Sequence, residues 1–323
     1  MSNDGNTKGT KMKFVIVSPR NNGGGAIVLH ALCKYLNELG HDAKMFYTSY
    51  YGRPGSFFFW YKWVLFTIKD LWMGMTAHVL GRYFPKKYRA FVDFPITDLK
   101  RKFWPRVDKD TIVVYPDVAI GNFLKAKHVV RYLLYYSTYK EGDIDKDRDL
   151  VICFRLEFND WELNPDGKVV HCPFFNTELY KQTNFGERKG TCYVLHKGKN
   201  RSDLPEEFDG IIVDDLTETE KVKVFNQCER CISYDTQTAY STIAALCGCL
   251  SIVVPEYGKN ISDYRNEQDH RYGEAIGFSR EEVVYAKETI SLLHNEIENV
   301  ARESRTNVCL FLKYCESLLE TNL

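Results

Sequence analysis

Residues 13–25 read KFVIVSPRNNGGG, an apolar run followed by a polar loop and three glycines. The run is rich in β-branched residues and predicts a buried strand that ends at Ser18. Apolar residues then recur at helical spacing until Gly40, namely Val28, Leu32, Tyr35, Leu36 and Leu39. A second strand is predicted through Tyr47. The order strand, glycine loop, helix, strand is typical of a doubly wound parallel sheet.

The remaining periodicity predicts a second sheet of the same kind. The first half adds strands at 111–115, 150–155 and 168–172, with a helix at 123–135. The second half alternates strands at 191–196, 210–213, 231–234 and 250–254 with helices at 217–228 and 238–247, and helices at 280–293 and 296–319 close the chain. We therefore expect an α/β protein with two Rossmann-like domains facing across a cleft. The predicted bounds are 11–184 and 185–323, with the last helix able to pack back on the first domain.

Composition narrows the functional class. The 323 residues carry 43 basic and 43 acidic side chains, and this zero net charge argues against a nucleic-acid binder. Residues 1–13 are polar and contain no apolar signal-peptide core, and the ten cysteines are scattered through apolar segments. The sequence therefore predicts a cytoplasmic protein with reduced thiols. The Asp-x-Asp strings at 143–145 and 147–149 fall in a charged stretch, which predicts a solvated loop and no metal site.

The segment from Phe57 to Trp72 is the most apolar of the chain. Up to Ile68 its single charged residue is Lys62, and it is crowded with Phe, Trp and Tyr. The run is shorter than the ~20 apolar residues that a membrane-spanning helix needs. Two interpretations stay open: contact with a membrane surface on the inner face, or a helix buried between the two domains.

Three segments could carry chemistry at the carboxyl ends of strands. The loop Gly23, Gly24 and Gly25 lets a ligand approach the start of a helix, where backbone N–H groups favour an anion. The G-x-G-x-x-G fingerprint is absent, and the second strand ends in YTSY without the acid that holds a nicotinamide ribose. An oxidoreductase that uses NAD(P) is therefore kept as an alternative hypothesis and is not the favoured one.

The second and third segments lie in the second half. The stretch 196–201 reads HKGKNR and follows a strand, so Lys197, Lys199 and Arg201 are placed to neutralise a diphosphate. The stretch 235–241 follows the next buried strand and begins a helix. Its candidate anion-binding residues are Asp235, Thr236, Thr238, Ala239 and Tyr240.

These segments together resemble GT-B glycosyltransferases, particularly the group related to retaining glycosyltransferase family 4. The glycine loop and the basic stretch resemble the parts of that family that face the donor sugar and its diphosphate. Asp235 matches the first acid of the family's donor motif and Cys247-Gly248 its end, whereas Ile243 stands where a second glutamate holds the ribose. The resemblance implies a retaining transferase that needs no metal and no cofactor beyond its nucleotide-sugar substrate.

Residues 115–122, YPDVAIGN, resemble a stretch of bacterial polysaccharide-type glycosyltransferases, which implies a glycan or lipid-linked acceptor and a role in polysaccharide or lipopolysaccharide synthesis. On this resemblance Gly121 and Asn122 lie on the acceptor side, and the first domain binds the acceptor while the second binds the donor. Inversion needs a general base, for which Asp117 and His128 are candidates. An inactive, membrane-associated scaffold of the same fold stays open, because the second glutamate is missing.

Overall fold

The computed structural model describes residues 11–19, 23–49, 51, 57–81, 83–84, 88, 96, 99–104, 106–260, 262 and 270–321. Two compact units are present. The first contains the residues up to Phe174 and those from Val300 onward, and the second spans Phe175–Asn299. The predicted division at 184/185 lies further along the chain. The difference arises because Tyr180 is buried in the core of the second unit and Asn226 accepts the N–H groups of Thr183 and Asn184.

The first unit is built on a parallel five-stranded sheet. Its strands stand in the order β2-β1-β3-β4-β5. Their bounds are β1 Lys13–Ser18, β2 Asp42–Tyr47, β3 Thr111–Pro116, β4 His128–Leu133 and β5 Leu150–Cys153, with helices α1 Gly24–Glu38 and α2 Phe57–Leu80 and a 3-10 helix Leu156–Phe158. The order 2-1-3-4-5 is one of the two common doubly wound arrangements, so the predicted fold of this half is confirmed.

Alternation along β1 divides the core between the two faces of this sheet. Phe14 and Ile16 pack with α1 and with the end of the last helix, whereas Val15 and Val17 pack with α2. Both faces are therefore covered, as a parallel sheet requires. For that reason Phe14, Val15, Ile16 and Val17 are all apolar, and the five residues after Lys13 are all buried.

One element of the first unit was predicted wrongly. Residues 128–133 form strand β4 in the middle of the sheet, and the helix predicted at 123–135 is absent from the described structure. The sequence HVVRYL looked helical because Arg131 breaks the apolar run. In the structure Arg131 is 1% exposed, and its Nε donates to Asp149 at 2.7 Å.

The acidic loop is accordingly not fully solvated, contrary to the sequence-based prediction. Asp149 is the partner of Arg131, and Asp143 is buried and accepts the N–H of Lys140 at 2.8 Å. The segment predicted as a strand at 168–172 contributes a single bridge between Val169 and Cys153. Among the described residues no group of His, Cys, Asp or Glu is arranged to hold a metal ion.

The second unit repeats the same topology. Its parallel sheet has the order β10-β9-β8-β6-β7, which is again 2-1-3-4-5 when counted within the unit. The bounds are β6 Thr191–Val194, β7 Ile211–Ile212, β8 Arg230–Ser233, β9 Leu250–Val253 and β10 Glu274–Ile276, with helices α3 Glu218–Gln227, α4 Tyr240–Leu246, α5 Arg280–Glu288 and α6 Ile290–Thr321 and a 3-10 helix His196–Asn200. A capping box of Thr217 and Glu220 begins α3. The three-residue strand β10 was not predicted from the sequence.

Helix α2 has one buried face and one exposed apolar face. Phe59, Trp63, Met73 and Ala77 are buried. Seven apolar residues spaced alternately three and four apart are at least 48% exposed, and we call them the α2 stripe: Phe58, Tyr61, Leu65, Ile68, Trp72, Met75 and Val79. No described helix is long and apolar enough to cross a membrane.

Candidate functional site

Each sheet has one point at which the chain reverses its direction of strand addition. In the first unit this point lies between β1 and β3, and in the second it lies between β6 and β8. Ligands of open parallel sheets bind outside the carboxyl ends of the strands at such a point. Sequence-predicted site residues follow all four of these strands, as the next paragraphs describe unit by unit.

The glycine loop of the first unit leads directly into α1. Gly23 is the N-cap residue with extended backbone, and Gly23 O accepts the N–H of Ile27 at 3.1 Å. A Cβ on Gly24 would meet no atom of the described residues within 4 Å, whereas one on Gly25 would lie 3.3 Å from Leu134 Cδ1, just past the end of β4. Among the described residues Gly24 therefore leaves space above the switch point, as a closely approaching ligand requires.

Asp117 stands at the same edge, directly after β3. Its backbone N–H donates to Tyr132 O at 3.1 Å, and its Oδ2 accepts the N–H of Tyr135 at 2.9 Å. The carboxylate thus joins the ends of β3 and β4. Burial raises the pKa of Asp117 to about 6, although the N–H groups of Tyr135, Val118 and Leu134 oppose that rise. A carboxyl group that titrates near neutral pH suits proton transfer.

The other residues predicted for the first unit do not join Asp117. His128 begins β4, so it lies at the amino edge of the sheet, about 13 Å along the strand from Tyr132. It is buried, and burial lowers its pKa. Asn122 closes its own loop, since its Oδ1 accepts from Tyr115 Oη at 3.1 Å and from Ala126 N at 2.9 Å.

Gly121 has a structural part in the same loop. Its φ is 67°, a conformation that favours glycine, and its N–H donates to Asp143 O at 2.7 Å. The bond ties the segment after β3 to the acidic loop before β5. Gly121 thus shapes the surroundings of Asp117 through its backbone.

In the second unit a rigid turn follows β6. Its 3-10 helix exposes the side chains of Lys197 and Lys199, and neither has an ion-pair partner among the described residues. Asp214 fixes the start of the turn, because its two carboxylate oxygens accept the N–H groups of Leu195 at 3.1 Å and His196 at 2.7 Å. His196 has a φ of 39°, which the turn imposes.

The turn is packed closely against the end of β8. Asp235 Oδ2 accepts the N–H of Lys197 at 3.4 Å. The acid that was predicted to contact the sugar donor therefore binds the backbone of the basic turn. A Cβ on Gly198 would lie 2.7 Å from the carbonyl carbon of Tyr234. No side chain fits there, so this glycine is what allows the turn to sit at the switch point.

Arg201 stabilises the end of the turn through bonds within the chain, and its guanidinium group does not face solvent where a ligand could bind it. Its five N–H groups all have acceptors within the chain: two donate to Asp203, and the others to the carbonyl oxygens of Tyr234, Val254 and Pro255. The side chain is 7% exposed. Its charge still adds to the local positive potential, but a phosphate would have to displace these bonds to reach it.

The side chains of the third predicted segment are also largely engaged with other residues of the second unit. Tyr240 Oη donates to Glu218 at 2.7 Å and accepts from Lys221 Nζ at 2.7 Å in a buried ion-pair network. Thr238 Oγ1 accepts the N–H of Tyr240 at 3.2 Å, Ala239 is the N-cap residue and Thr236 is buried. Helix α4 has seven residues, shorter than the predicted 238–247.

Sequence reasoning did not single out two residues that the geometry places at these edges. Tyr135 lies next to Asp117 because β4 is a strand, and a helix prediction there hid the contact. Asp214, just after β7, positions the basic turn through its two carboxylate oxygens. The signal for each was an abrupt change from an apolar strand to polar or aromatic residues.

Comparison with known proteins gives only distant likenesses. No protein-family model matches the chain, and no curated protein matches it. Among solved structures, the spinosyn forosaminyltransferase SpnP is 11% identical with a TM-score of 0.38, and the match covers 94% of this chain and 99% of that one. The glycosyltransferase SnogD from Streptomyces nogalater is 10% identical with a TM-score of 0.32, covering 97% and 100%.

A glycosyltransferase from Rickettsia africae ESF-5 is 12% identical with a TM-score of 0.29, and the match covers 96% of this chain and 99% of that one. All three TM-scores are below 0.5. We therefore base the function on the residues at the two sheet edges and not on these likenesses.

Proposed function

We propose that the protein is a glycosyltransferase, which moves a sugar from a nucleotide-sugar donor to a glycan or lipid-linked glycan acceptor. The observation that carries the proposal is the rigid turn after β6, which displays Lys197 and Lys199 at the switch point of the second sheet. Two ammonium groups on a fixed backbone can bind a diphosphate and stabilise the charge that grows on it as the sugar departs. They supply the positive charge that a divalent cation supplies in other transferases, so we expect activity without added metal.

The first unit contributes the acceptor side of this proposal. Asp117 combines a raised pKa with a position at the other switch point, where Gly24 leaves space for a substrate. We assign it the task of accepting the proton of the attacking hydroxyl group. Retention, which the sequence resemblance implies, needs no such base, whereas inversion does. The anomeric configuration of the product, read by NMR, therefore tests this role.

Donor binding can be tested by thermal stabilisation with nucleoside diphosphates and NAD(P), with and without magnesium. A ligand present at 100 times its Kd raises the stability of the native state by about 2.7 kcal/mol. We expect a shift with at least one nucleoside diphosphate that needs no metal. In Lys197→Ala/Lys199→Ala the affinity should fall about tenfold or more, because each charged hydrogen bond contributes about 1.5–3 kcal/mol.

The matched control is Lys189→Ala/Lys223→Ala, which removes two exposed lysines of the second unit away from the turn. The control should keep the shift. A shift with NAD(P) alone would favour the oxidoreductase, and tight nucleotide binding without any transfer would favour the inactive scaffold.

Membrane contact is the further part of the proposal, and the α2 stripe supports it. Its seven exposed apolar residues include Tyr61 and Trp72, side chains that suit the boundary between lipid and water. A location on the inner face of a membrane would bring the enzyme to a lipid-linked acceptor for polysaccharide or lipopolysaccharide synthesis. Co-sedimentation with anionic vesicles should fall at least fivefold in Tyr61→Ser/Ile68→Ser/Met75→Ser.

The control for the vesicle experiment is Phe185→Ser/Tyr257→Ser, which removes two exposed aromatic side chains of the second unit. Unchanged co-sedimentation of the α2 variant would show that the stripe does not bind lipid.

A further inference from the structure

An exposed group of aromatic side chains lies at the carboxyl edge of the first sheet. Tyr135 and Tyr136 follow β4, and Phe158 belongs to the 3-10 helix after β5. The ring centroids are 4.8 Å apart for the two tyrosines, and Phe158 lies 5.2 Å from Tyr135 and 5.4 Å from Tyr136. We call these three residues the aromatic platform. The tyrosines are 59% and 57% exposed, so their contacts with each other do not bury them.

Two further exposed apolar side chains lie in the segment that follows β5. Leu156 lies in the same 3-10 helix as Phe158 and is 53% exposed, and Trp161 is 61% exposed. Both side chains lie around Gly167, since a Cβ there would come within 3.3 Å of the Trp161 ring and 3.5 Å of Leu156 Cδ2. Single exposed apolar side chains are ordinary, but two exposed tyrosine rings in contact with each other and with Phe158 at the ligand-binding edge of a sheet indicate a binding surface.

The aromatic platform is connected to the proposed catalytic carboxylate. Asp117 Oδ2 accepts the backbone N–H of Tyr135, so the carboxyl group is bound directly to the backbone of a platform residue. Aromatic walls with one or a few fixed polar groups are the usual lining of a small-molecule site. The arrangement therefore combines a flat apolar surface with an acceptor of hydroxyl protons.

A sugar ring matches both features. Its C–H groups form an apolar face that can lie on aromatic rings, while its hydroxyl groups donate to carboxylates and to tyrosine oxygens. We propose that the aromatic platform binds a saccharide ring of the acceptor and thereby directs one of its hydroxyl groups to Asp117. This inference rests on the proposed function, which it extends by naming the acceptor class and the residues that hold it.

The test uses the full-length protein and saturation-transfer NMR with a panel of methyl hexopyranosides and methyl N-acetylhexosaminides at millimolar concentration. We expect at least one saccharide to receive saturation through its ring C–H protons. In Tyr135→Ser/Tyr136→Ser the signal should fall at least fivefold, whereas Tyr135→Phe/Tyr136→Phe should stay within about threefold of wild type because the rings remain.

Two controls separate this result from a folding defect and from the donor site. Tyr257→Ser removes a tyrosine of the second unit that is 97% exposed, and it should leave the signal unchanged. The serine variant of the platform should melt with wild-type cooperativity and keep the stabilisation by nucleoside diphosphates. The preserved stabilisation distinguishes the platform proposal from the proposed transferase function. Loss of nucleotide binding would contradict the transferase and would leave the platform proposal unaffected.

The platform proposal is overturned if no saccharide of the panel binds, or if binding survives in the serine variant. It is also overturned if that variant loses vesicle binding instead of saccharide binding, since the surface would then belong to the lipid contact. Saccharide binding by a protein that binds no nucleotide would support the platform and contradict the transferase.

Discussion

The two sheets share one strand order but present opposite chemistry at their carboxyl edges. In the first unit the edge carries a half-buried carboxyl group, glycines and exposed aromatic rings, whereas in the second it carries a basic turn. The turn is fixed by Asp214, Asp235 and Arg201, while Gly24 faces open space. The same topology therefore provides two switch points, and the loops decide what each one binds.

This comparison predicts the largest effect at the glycine of the basic turn. In Gly198→Ala the new methyl group would overlap the carbonyl group of Tyr234, and the backbone of one loop must move. Urea unfolding should show a loss of about 3 kcal/mol, the upper range for overpacking. Nucleoside diphosphates should no longer stabilise the variant.

A matched substitution in the same unit is Gly186→Ala, whose Cβ would lie 3.4 Å from Asn184 Oδ1 in ordinary contact. Its stability should stay within about 0.5 kcal/mol of wild type. Equal behaviour of the two variants would contradict the close packing of the turn.

A medium effect is expected from the acid of the first unit. The folded-state pKa of Asp117 is raised, so the folded protein holds its proton more tightly than the unfolded chain between pH 4 and about 6. Stability should therefore fall as pH rises through that window, by about 1–2 kcal/mol after allowance for solvent screening. Asp117→Asn should lack this part of the pH dependence.

The measurement is urea unfolding at pH 4, 5, 6 and 7 for wild type, Asp117→Asn and Glu207→Gln, an exposed carboxyl group of the second unit. Parallel curves for wild type and Asp117→Asn would show that Asp117 has an ordinary environment. If Asp117 is the base, the acidic limb of the pH profile of kcat/KM should also lie near pH 6. The residual activity of Asp117→Asn should lack that limb.

The smallest effect on stability is expected at the glycine loop. Gly24→Ala adds a methyl group that meets no atom of the described residues within 4 Å, so the free energy of unfolding should change by less than about 1 kcal/mol. Turnover should nevertheless fall about tenfold, because a substrate that approaches the start of α1 would meet the methyl group. Full activity of this variant would show that no substrate lies against the loop.

The sequence predicted the fold well where the hydrophobic period and the residues that end an element indicate the same boundaries. The strand 13–18, the glycine loop and α1 follow from local pattern, and the helix predicted at 217–228 agrees with α3. The sequence failed at β4, because Arg131 interrupts an apolar run and its buried partner Asp149 is eighteen residues away. Long-range ion pairs of this kind leave no local signal.

The candidate site was predicted in part for the same reason. Lys197 and Asp235 could be placed at neighbouring strand ends from the order of elements, and the structure brings them within hydrogen-bond reach. That Arg201 and Tyr240 are engaged within the chain depends on carbonyl groups and side chains from distant loops. The aromatic platform was hidden by the wrong assignment of β4.

The most direct test of the central claim is the release of nucleoside diphosphate from a panel of nucleotide sugars, with EDTA present and a mixed glycan acceptor added. The account predicts release from at least one donor, with a loss of at least tenfold in Lys197→Ala/Lys199→Ala and little change in Lys189→Ala/Lys223→Ala. Absence of release from every donor, or equal release in the two lysine variants, would contradict the assignment of the basic turn as the site of a glycosyltransferase donor.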